Sequence, residues 1–299
     1  MDKALLNERV AAIEAVIEQF LPKKADAPER IIEAVNYSVT AGGKRLRPML
    51  MQETYRLFGG AGKEIEPFMV AMEMIHTYSL VHDDLPAMDN DEYRRGRKTT
   101  WAVYGDAMGI LAGDGLLNLA FETAFKAFDS CNTVEDYDKV RRALVVLARN
   151  AGINGMIGGQ VADIEAEADA ASVTEKDLQY IHTHKTGALI EASMLVGAIL
   201  AGASEEEQKL VSKCALDIGL AFQIQDDILD VIGNSEELGK PVGSDAANGK
   251  QTYVTLKGLD KSVEEVERLS DEALDILQGF PGDHDFLEAL VSHLIARRS

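Results

Sequence analysis

Apolar residues recur at three- and four-residue spacing along almost the whole chain, as in Ala4, Val10, Ile13, Val16 and Ile17, and strictly alternating stretches are hard to find. That period belongs to amphipathic helices and not to half-buried strands, so an all-α bundle is expected. Breakers cut the pattern at Pro22, Pro28, Gly42-Gly43, Gly59-Gly60, Pro86, Gly158-Gly159, Gly202 and between Gly239 and Gly249. They divide it into about ten to thirteen helices. No Pro-, Ser- or Gly-rich linker is long enough to part domains, and one domain over residues 1–299 is expected. With 46% hydrophobic residues the chain can bury a substantial core. Residues 187–203 and 210–224 are apolar on more than one side, the mark of helices surrounded by neighbours. They are either ordinary interior helices or part of a face offered to a second copy. Residues 232–253 form the longest apparently non-helical stretch, and an ordered loop of that length is often functional. It is the first candidate for a lid.

A formal charge of −20 argues against nonspecific binding to nucleic acid or to an anionic membrane face. A phosphate-rich ligand must therefore find a local basic island. Cys131 and Cys214 are the only cysteines and form no CxxC pair, so neither a disulfide framework nor a thiolate zinc site is favoured, and a reducing cytoplasm fits best. The start, MDKALLNERVAAIEAVIEQF, alternates charged with apolar residues at helical spacing, unlike a signal peptide. No stretch reaches the roughly 18 apolar residues of a membrane span.

The sharpest local signal is SLVHDDLPAMDNDEYRRGRKTTW, residues 79–101. Asp83, Asp84, Asp89, Asp91 and Glu92 crowd between an apolar helix and the pair Arg94-Arg95. The preceding run places Met72, Ile75, Ser79 and His82 on one stripe, so Asp83 and Asp84 should stand at the end of a buried helix. Pro86 pushes Leu85 out of the helical region, and the resulting bend can return Asp89 to the side of Asp83. A second cluster, FQIQDDILD, contains Gln223, Asp226, Asp227 and Asp230, with Asp226 and Asp230 one turn apart on one face. Carboxylates this close in apolar surroundings repel, and a hard cation such as Mg²⁺, shared with substrate phosphates, would relieve them. Two such ends facing each other would hold a diphosphate. One cluster alone is more often a solvated helix end; two copies, each embedded in apolar helix, favour a site.

The basic island is GGKRLRPML, with Lys44, Arg45 and Arg47 after two glycines that let the backbone approach a ligand closely. Without the acidic clusters it would read as a surface turn. HTHKTGALIEA adds Lys185 and Thr186 at an expected helix bend, while Lys240 and Lys250 punctuate the glycine-rich stretch. A histidine on an apolar helix is more often a hydrogen-bonded core or rim residue than a ligand, the reading given to His82, His182 and His184. The His82-Asp83 pair also occurs in metal phosphohydrolases, but these need further spaced histidines that are not evident here.

GGKRLRP, HDDLPAMDND with its following RRG, GGQVADIEAE, HKTGALI, GLAFQIQDDILD and LGKPVGSDAANGKQTY occur in this order along nearly the whole chain. Taken together they resemble the trans-isoprenyl diphosphate synthases, and most closely the bacterial farnesyl diphosphate synthases. The resemblance implies a polyprenyl synthetase domain of the all-helical kind around a deep cavity, a homodimer, and Mg²⁺ as cofactor, three ions per site. It implies isopentenyl diphosphate and an allylic diphosphate as substrates. Lys44, Arg47, His76 and Arg95 match the grip on isopentenyl diphosphate, and Arg94, Lys185, Thr186, Gln223 and Lys240 the grip on the allylic partner. Asp83, Asp89 and Asp226 match metal ligands, with Asp84, Asp227 and Asp230 acting through water or by orienting neighbours. Asp83, Asp89, Lys185 and Lys240 are the groups that the resemblance makes catalytic.

The implied chemistry is ionisation of the allylic diphosphate, attack by the double bond of isopentenyl diphosphate, and loss of a proton to the released pyrophosphate. Tyr78 and Ser79, one turn before Asp83, match the floor under the growing chain. The aromatic Tyr78, with Pro86 and Ala87 inserted in the motif, resembles the fifteen-carbon bacterial pattern; geranylgeranyl synthases usually carry a smaller side chain where Tyr78 stands. The expected product is farnesyl diphosphate, made by two additions from dimethylallyl through geranyl diphosphate, with geranylgeranyl diphosphate as the alternative. A terpene cyclase would carry an Asn, Ser or Thr, Glu pattern instead of DDILD and would not need Lys44 and Arg47. A noncatalytic synthase subunit would have eroded acidic motifs, and both are intact.

Overall fold

Helical periodicity is realised throughout a computed structural model that describes residues 2–23, 28–232 and 250–295. The chain divides into two compact units, one comprising Asp2–Gln52 and Gly62–Val140 and the other Glu53–Ala61 and the chain from Arg141 onward. Among the described residues the only strands are two of two residues each, so the fold is all-α.

In the first unit, α1 (Lys3–Phe20) starts where the Asp2 carboxylate accepts from the Ala4 amide at 2.9 Å, satisfying one open helix donor. It is followed by α2 (Glu29–Val39), α3 (Leu46–Leu57), whose last turns pass into the other unit, and α4 (Ile65–Asp83). The sides of α4 are apolar almost all round, and Phe68, Met69, Met72, Met74 and Ile75 have no exposed surface. Each such side chain stabilises the fold by about 1.5–3 kcal/mol. After α4 comes a hairpin, β1 (Tyr93–Arg94) and β2 (Arg97–Lys98), paired Tyr93 with Lys98 and Arg94 with Arg97. Then come α5 (Thr100–Tyr104) and α6 (Asp106–Phe125), the principal neighbour of α4. Gly113 on α6 has no room for a Cβ because the His82 ring occupies the space, and His82 Nε2 lies 3.0 Å from the Ile110 carbonyl. His82 is thus the rim residue that clamps the end of α4 to α6.

The second unit begins within α7 (Val134–Ala151) and continues through α8 (Met156–Ala168) and α9 (Glu175–Ile181). A capping box between Thr174 and Asp177 fixes the start of α9. Its end passes into a π-helical turn, His182–Gly187, and then into α10 (Ala188–Ala201). A single π turn inside a helix is a common mark of a functional position. Next come α11 (Glu205–Ile232), α12 (Tyr253–Lys257), α13 (Leu259–Gln278) and α14 (Asp285–Ile295). α11 packs on α10 and α13. A Cβ on Gly219 would stand 2.8 Å from the Gly187 Cα, so two glycines bring α11 against the π turn. The stretch 232–253, read as a lid, lies largely outside the described residues, as does Lys240. Among the described residues no helix is long and apolar enough to cross a membrane.

Candidate active site

Two sets of polar side chains gather where buried apolar helices end or turn, one in each unit. In the first unit, α4 ends at Asp83, and the chain turns back so that the Asp89 amide donates to the Asp83 carbonyl at 2.9 Å. The Asp91 amide donates to the Asp84 carbonyl at 3.1 Å, and Asn90 adopts a left-handed φ of 56° that a short polar residue tolerates. Asp89 is thereby brought back to Asp83, the bend expected from Pro86. Asp84 is only 4% exposed and accepts from Arg94 Nε at 2.7 Å. Burial pushes its carboxyl above the usual range, with Arg94 opposing by charge and hydrogen bond. Asp84 therefore orients Arg94, which also lies 3.7 Å from Asp91.

The hairpin that carries Arg94 and Arg95 turns at Arg95 (φ 53°) and Gly96 (φ 73°), the pair of positive angles of a type I′ turn. Arg95 Nη1 donates to the Gly42 carbonyl. A Cβ on Gly43 would lie 2.5 Å from that same nitrogen, so the close approach permitted by the glycine pair is used by the Arg95 guanidinium. Lys44 beside it is exposed. Arg45, at φ 47°, turns inward: 5% exposed, it donates to Glu73 Oε1 at 2.6 Å and to the Val39 carbonyl at 2.9 Å. Glu73 is 3% exposed. This buried ion pair fastens the basic turn to α4 one turn before His76.

Arg47 Nε is buried without a hydrogen-bond partner. Burial above all lowers the Arg47 pKa, to about 10, with Glu73 raising it and Arg95 lowering it, so the guanidinium keeps its charge at neutral pH. His76 is held well below the ordinary imidazole value by burial and then by Arg47, Arg95, Arg94 and Arg45, and is neutral. A half-buried guanidinium with a buried, unused Nε donor beside a neutral imidazole has the chemistry of an anion receptor. His76 and Asp83 stand seven residues apart on α4, on one face and about 10 Å apart along the axis. Tyr78 is 5% exposed, its hydroxyl buried without a hydrogen bond, and its ring meets His82 edge-on at 5.8 Å. Burial first, then Asp83, raises its pKa to about 12. Ser79 Oγ donates to the His76 carbonyl at 2.9 Å.

In the second unit, Gln223, Asp226, Asp227 and Asp230 follow one another on the last turns of α11. Asp227 Oδ2 accepts from the Tyr253 amide at 2.8 Å and lies 4.0 Å from His182 Nε2, while Asp230 is buried. Asp227 thus orients the chain at α12. His184 stacks on Tyr180 at 3.8 Å, a structural role. Lys185 and Thr186 both lie on the π turn; Lys185 Nζ donates to Asp163 Oδ2 on α8 at 2.6 Å. No role was expected from the sequence for Glu73, nor for Asp163 although it lies inside the motif GGQVADIEAE. Glu73 is a lone acid at helical spacing among apolar residues; both it and Asp163 are buried, a position tolerated only with a cation beside it.

Among the described residues no three carboxylate, imidazole or thiolate groups gather closely enough to hold a metal ion by themselves. The oxygen donors of Asp83 and Asp89, and of Asp226, nevertheless fit Mg²⁺, which keeps waters and substrate phosphates in its shell and is content with one or two protein carboxylates.

A family model described as polyprenyl synthetase matches residues 28–289. The chain belongs to this family. A farnesyl diphosphate synthase of Geobacillus stearothermophilus is 45% identical over 255 residues, covering 85% of this chain and 84% of that protein. A geranylgeranyl diphosphate synthase of Cyanophora paradoxa is 40% identical over 294 residues, 98% of this polyprenyl synthetase and 96% of the relative. Among solved structures, an FPP/GFPP synthase from Zymomonas mobilis superposes with a TM-score of 0.86 at 33% identity, covering 98% of each chain. The resemblance read from the motifs is thereby confirmed for the family, while the relatives divide between two product lengths.

Proposed function

We propose that this polyprenyl synthetase is a farnesyl diphosphate synthase, condensing isopentenyl diphosphate first with dimethylallyl and then with geranyl diphosphate. The observation that carries the reading is on α4. His76 and Asp83 stand on one face of α4 about 10 Å apart along the axis; Arg47 and Arg95 add their charge beside the first, and the backbone turn brings Asp89 back beside the second. One diphosphate is gripped directly at the first, and the other is held through cations at the second.

In this reading Lys44, Arg47, His76 and Arg95 hold isopentenyl diphosphate. Asp83, Asp89 and Asp226 hold Mg²⁺, up to three ions. Bound there, Mg²⁺ supplies charge that stabilises the departing pyrophosphate. Arg94, Lys185, Thr186, Gln223 and Lys240 bind the allylic diphosphate, and Lys185 and Lys240 act catalytically by lending positive charge to the departing pyrophosphate. The apolar residues of α4 exclude water from the allylic cation, and no protein base is needed, because the pyrophosphate oxygen can take the proton. Neutral His76 donates a hydrogen bond to isopentenyl diphosphate without competing for that proton.

Tyr78, buried and one turn before Asp83, is the floor that stops the chain at fifteen carbons. The relative from Cyanophora paradoxa supports geranylgeranyl diphosphate as the second reading. The protein is proposed to act as one domain, in the cytoplasm, as a homodimer; Ile110, Leu111 and Phe125 on α6 are exposed apolar side chains available to a second copy. Product chromatography after incubation with labelled isopentenyl and dimethylallyl diphosphates and Mg²⁺ tests the reading. Fifteen-carbon diphosphate is expected, twenty-carbon product would favour the second reading, and cyclic hydrocarbon without elongation would reject both. Asp83→Ala should slow turnover by about a thousandfold with an unchanged circular dichroism spectrum; near-normal rates in excess Mg²⁺ would remove Asp83 from the metal site.

A further inference from the structure

Asp163 has two cations where one would do. It is 4% exposed, on α8, and its carboxylate accepts from Lys185 Nζ at 2.6 Å on Oδ2 and takes Lys250 Nζ at 3.0 Å on Oδ1 and 3.2 Å on Oδ2. Lys250 is also 3.1 Å from Glu167, which is half exposed. The local fold is built to make this grip. Gly159, one turn before Asp163, has no room for a Cβ because the backbone of His184 and Lys185 fills that space, so α8 lies directly on the π turn. Burial pushes the Asp163 carboxyl up, and the two lysines more than reverse this, leaving it below the usual range. Burial likewise opposes the charge on Lys250, and Asp163 and Glu167 outweigh it.

A buried carboxylate cannot be left without a cation, since an uncompensated interior charge is strongly unfavourable. With one lysine, that lysine would be bound to Asp163 permanently and unavailable to a substrate. With two, either can leave while the other keeps the carboxylate compensated. Lys250 has a second anchor in Glu167, whereas Lys185 is held through Asp163. We infer that Asp163 is a positioning residue of the allylic diphosphate site, where it holds Lys185 ready and releases it to the diphosphate while Lys250 remains as its counter-ion. This rests on the proposed prenyl transfer, in which Lys185 binds the allylic substrate.

The inference gives opposite signs to two substitutions that a purely structural salt bridge would make additive. Lys250→Gln leaves Lys185 as the cation that Asp163 depends on, so the allylic substrate must compete for it; KM for geranyl diphosphate should rise about tenfold while KM for isopentenyl diphosphate stays unchanged. Adding Asp163→Asn removes the charge that detains Lys185, and the double variant should show a KM for geranyl diphosphate at least about threefold lower than Lys250→Gln alone. Steady-state kinetics on the full chain with each substrate varied, alongside thermal melts, give the readout. A double variant as poor as Lys250→Gln or worse, or a Lys250→Gln enzyme with unchanged KM, would overturn the inference. If chains carrying Asp163→Asn fail to fold, calorimetric binding of inorganic pyrophosphate with Mg²⁺ decides on Lys250→Gln alone: about tenfold weaker binding supports the inference, and unchanged binding overturns it. A wild-type chain that does not elongate at all overturns the prenyl-transfer reading, and this inference with it.

Discussion

Replacing Arg45 with Met should be among the most damaging single changes in the first unit. The guanidinium is 5% exposed and its partner Glu73 3%, at 2.6 Å, with a further bond to the Val39 carbonyl at 2.9 Å. Removing one member of a buried pair costs about 3–5 kcal/mol when the other is left uncompensated; Arg47 and Arg95 act on Glu73 as well and soften that loss without replacing its direct bond. The contact to Glu14, at 3.5 Å and with that side chain 43% exposed, adds little. The single tryptophan, Trp101, lies in the same unit and donates from Nε1 to the Asp91 carbonyl at 2.9 Å, so its fluorescence in urea reports this unfolding. Arg45→Met should lower the midpoint strongly, and the double variant Arg45→Met with Glu73→Leu should recover most of the loss, because a buried ion pair is often replaceable by apolar volume. In the single variant Glu73 also draws Arg47 towards itself, raising KM for isopentenyl diphosphate. A loss below about 1 kcal/mol, or a double variant no better than the single, would refute the pair as the anchor of the basic turn.

Three further outcomes follow from the geometry. Tyr78→Ala removes the buried ring before Asp83 and should shift the products beyond fifteen carbons; an unchanged chromatogram would take Tyr78 out of the floor. Gly159→Ala puts a methyl into the backbone of His184 and Lys185, which cannot yield cheaply, so about 1–3 kcal/mol of stability and most activity should go; wild-type melting would contradict the close packing of α8 on the π turn. His182 is buried, and burial lowers its pKa to about 4, with Lys250 and Lys185 lowering it further and Asp163 opposing. Its contribution is fully present above about pH 6.5 and is lost as pH falls towards 4, because the unfolded chain binds the proton first; the loss approaches about 3 kcal/mol. Urea midpoints from pH 7 to 4 should fall, and the slope should flatten in His182→Gln; equal slopes would assign it to other groups.

Helices were legible because burial imposes a period. Val266, Leu269, Ala273 and Leu277 recur on α13 at the spacing of one face, and α10 is apolar all round because neighbours surround it. The return of Asp89 to Asp83 was legible from Pro86. The hairpin was not, since two-residue strands are too short to show alternation, and its turn rests on a positive φ at Arg95 that an arginine does not advertise. A helix bend was expected at Lys185 and Thr186, but that the irregularity there is a π turn was not legible, since its residues keep helical spacing on both sides. Arg45 with Glu73 and Asp163 with Lys185 are pairings over 28 and 22 positions, set by tertiary packing and invisible to any local window.

The short ribbon of β1 and β2 has an implication for how this protein can be altered. Consecutive arginines leave it in different directions, one braced by Asp84 and the other lodged at Gly42, so a single stiff bracket registers two binding regions at once. Lengthening the turn between Arg94 and Arg97 by even one residue should dislocate both together, whereas additions at the exposed end of α8 should leave both undisturbed.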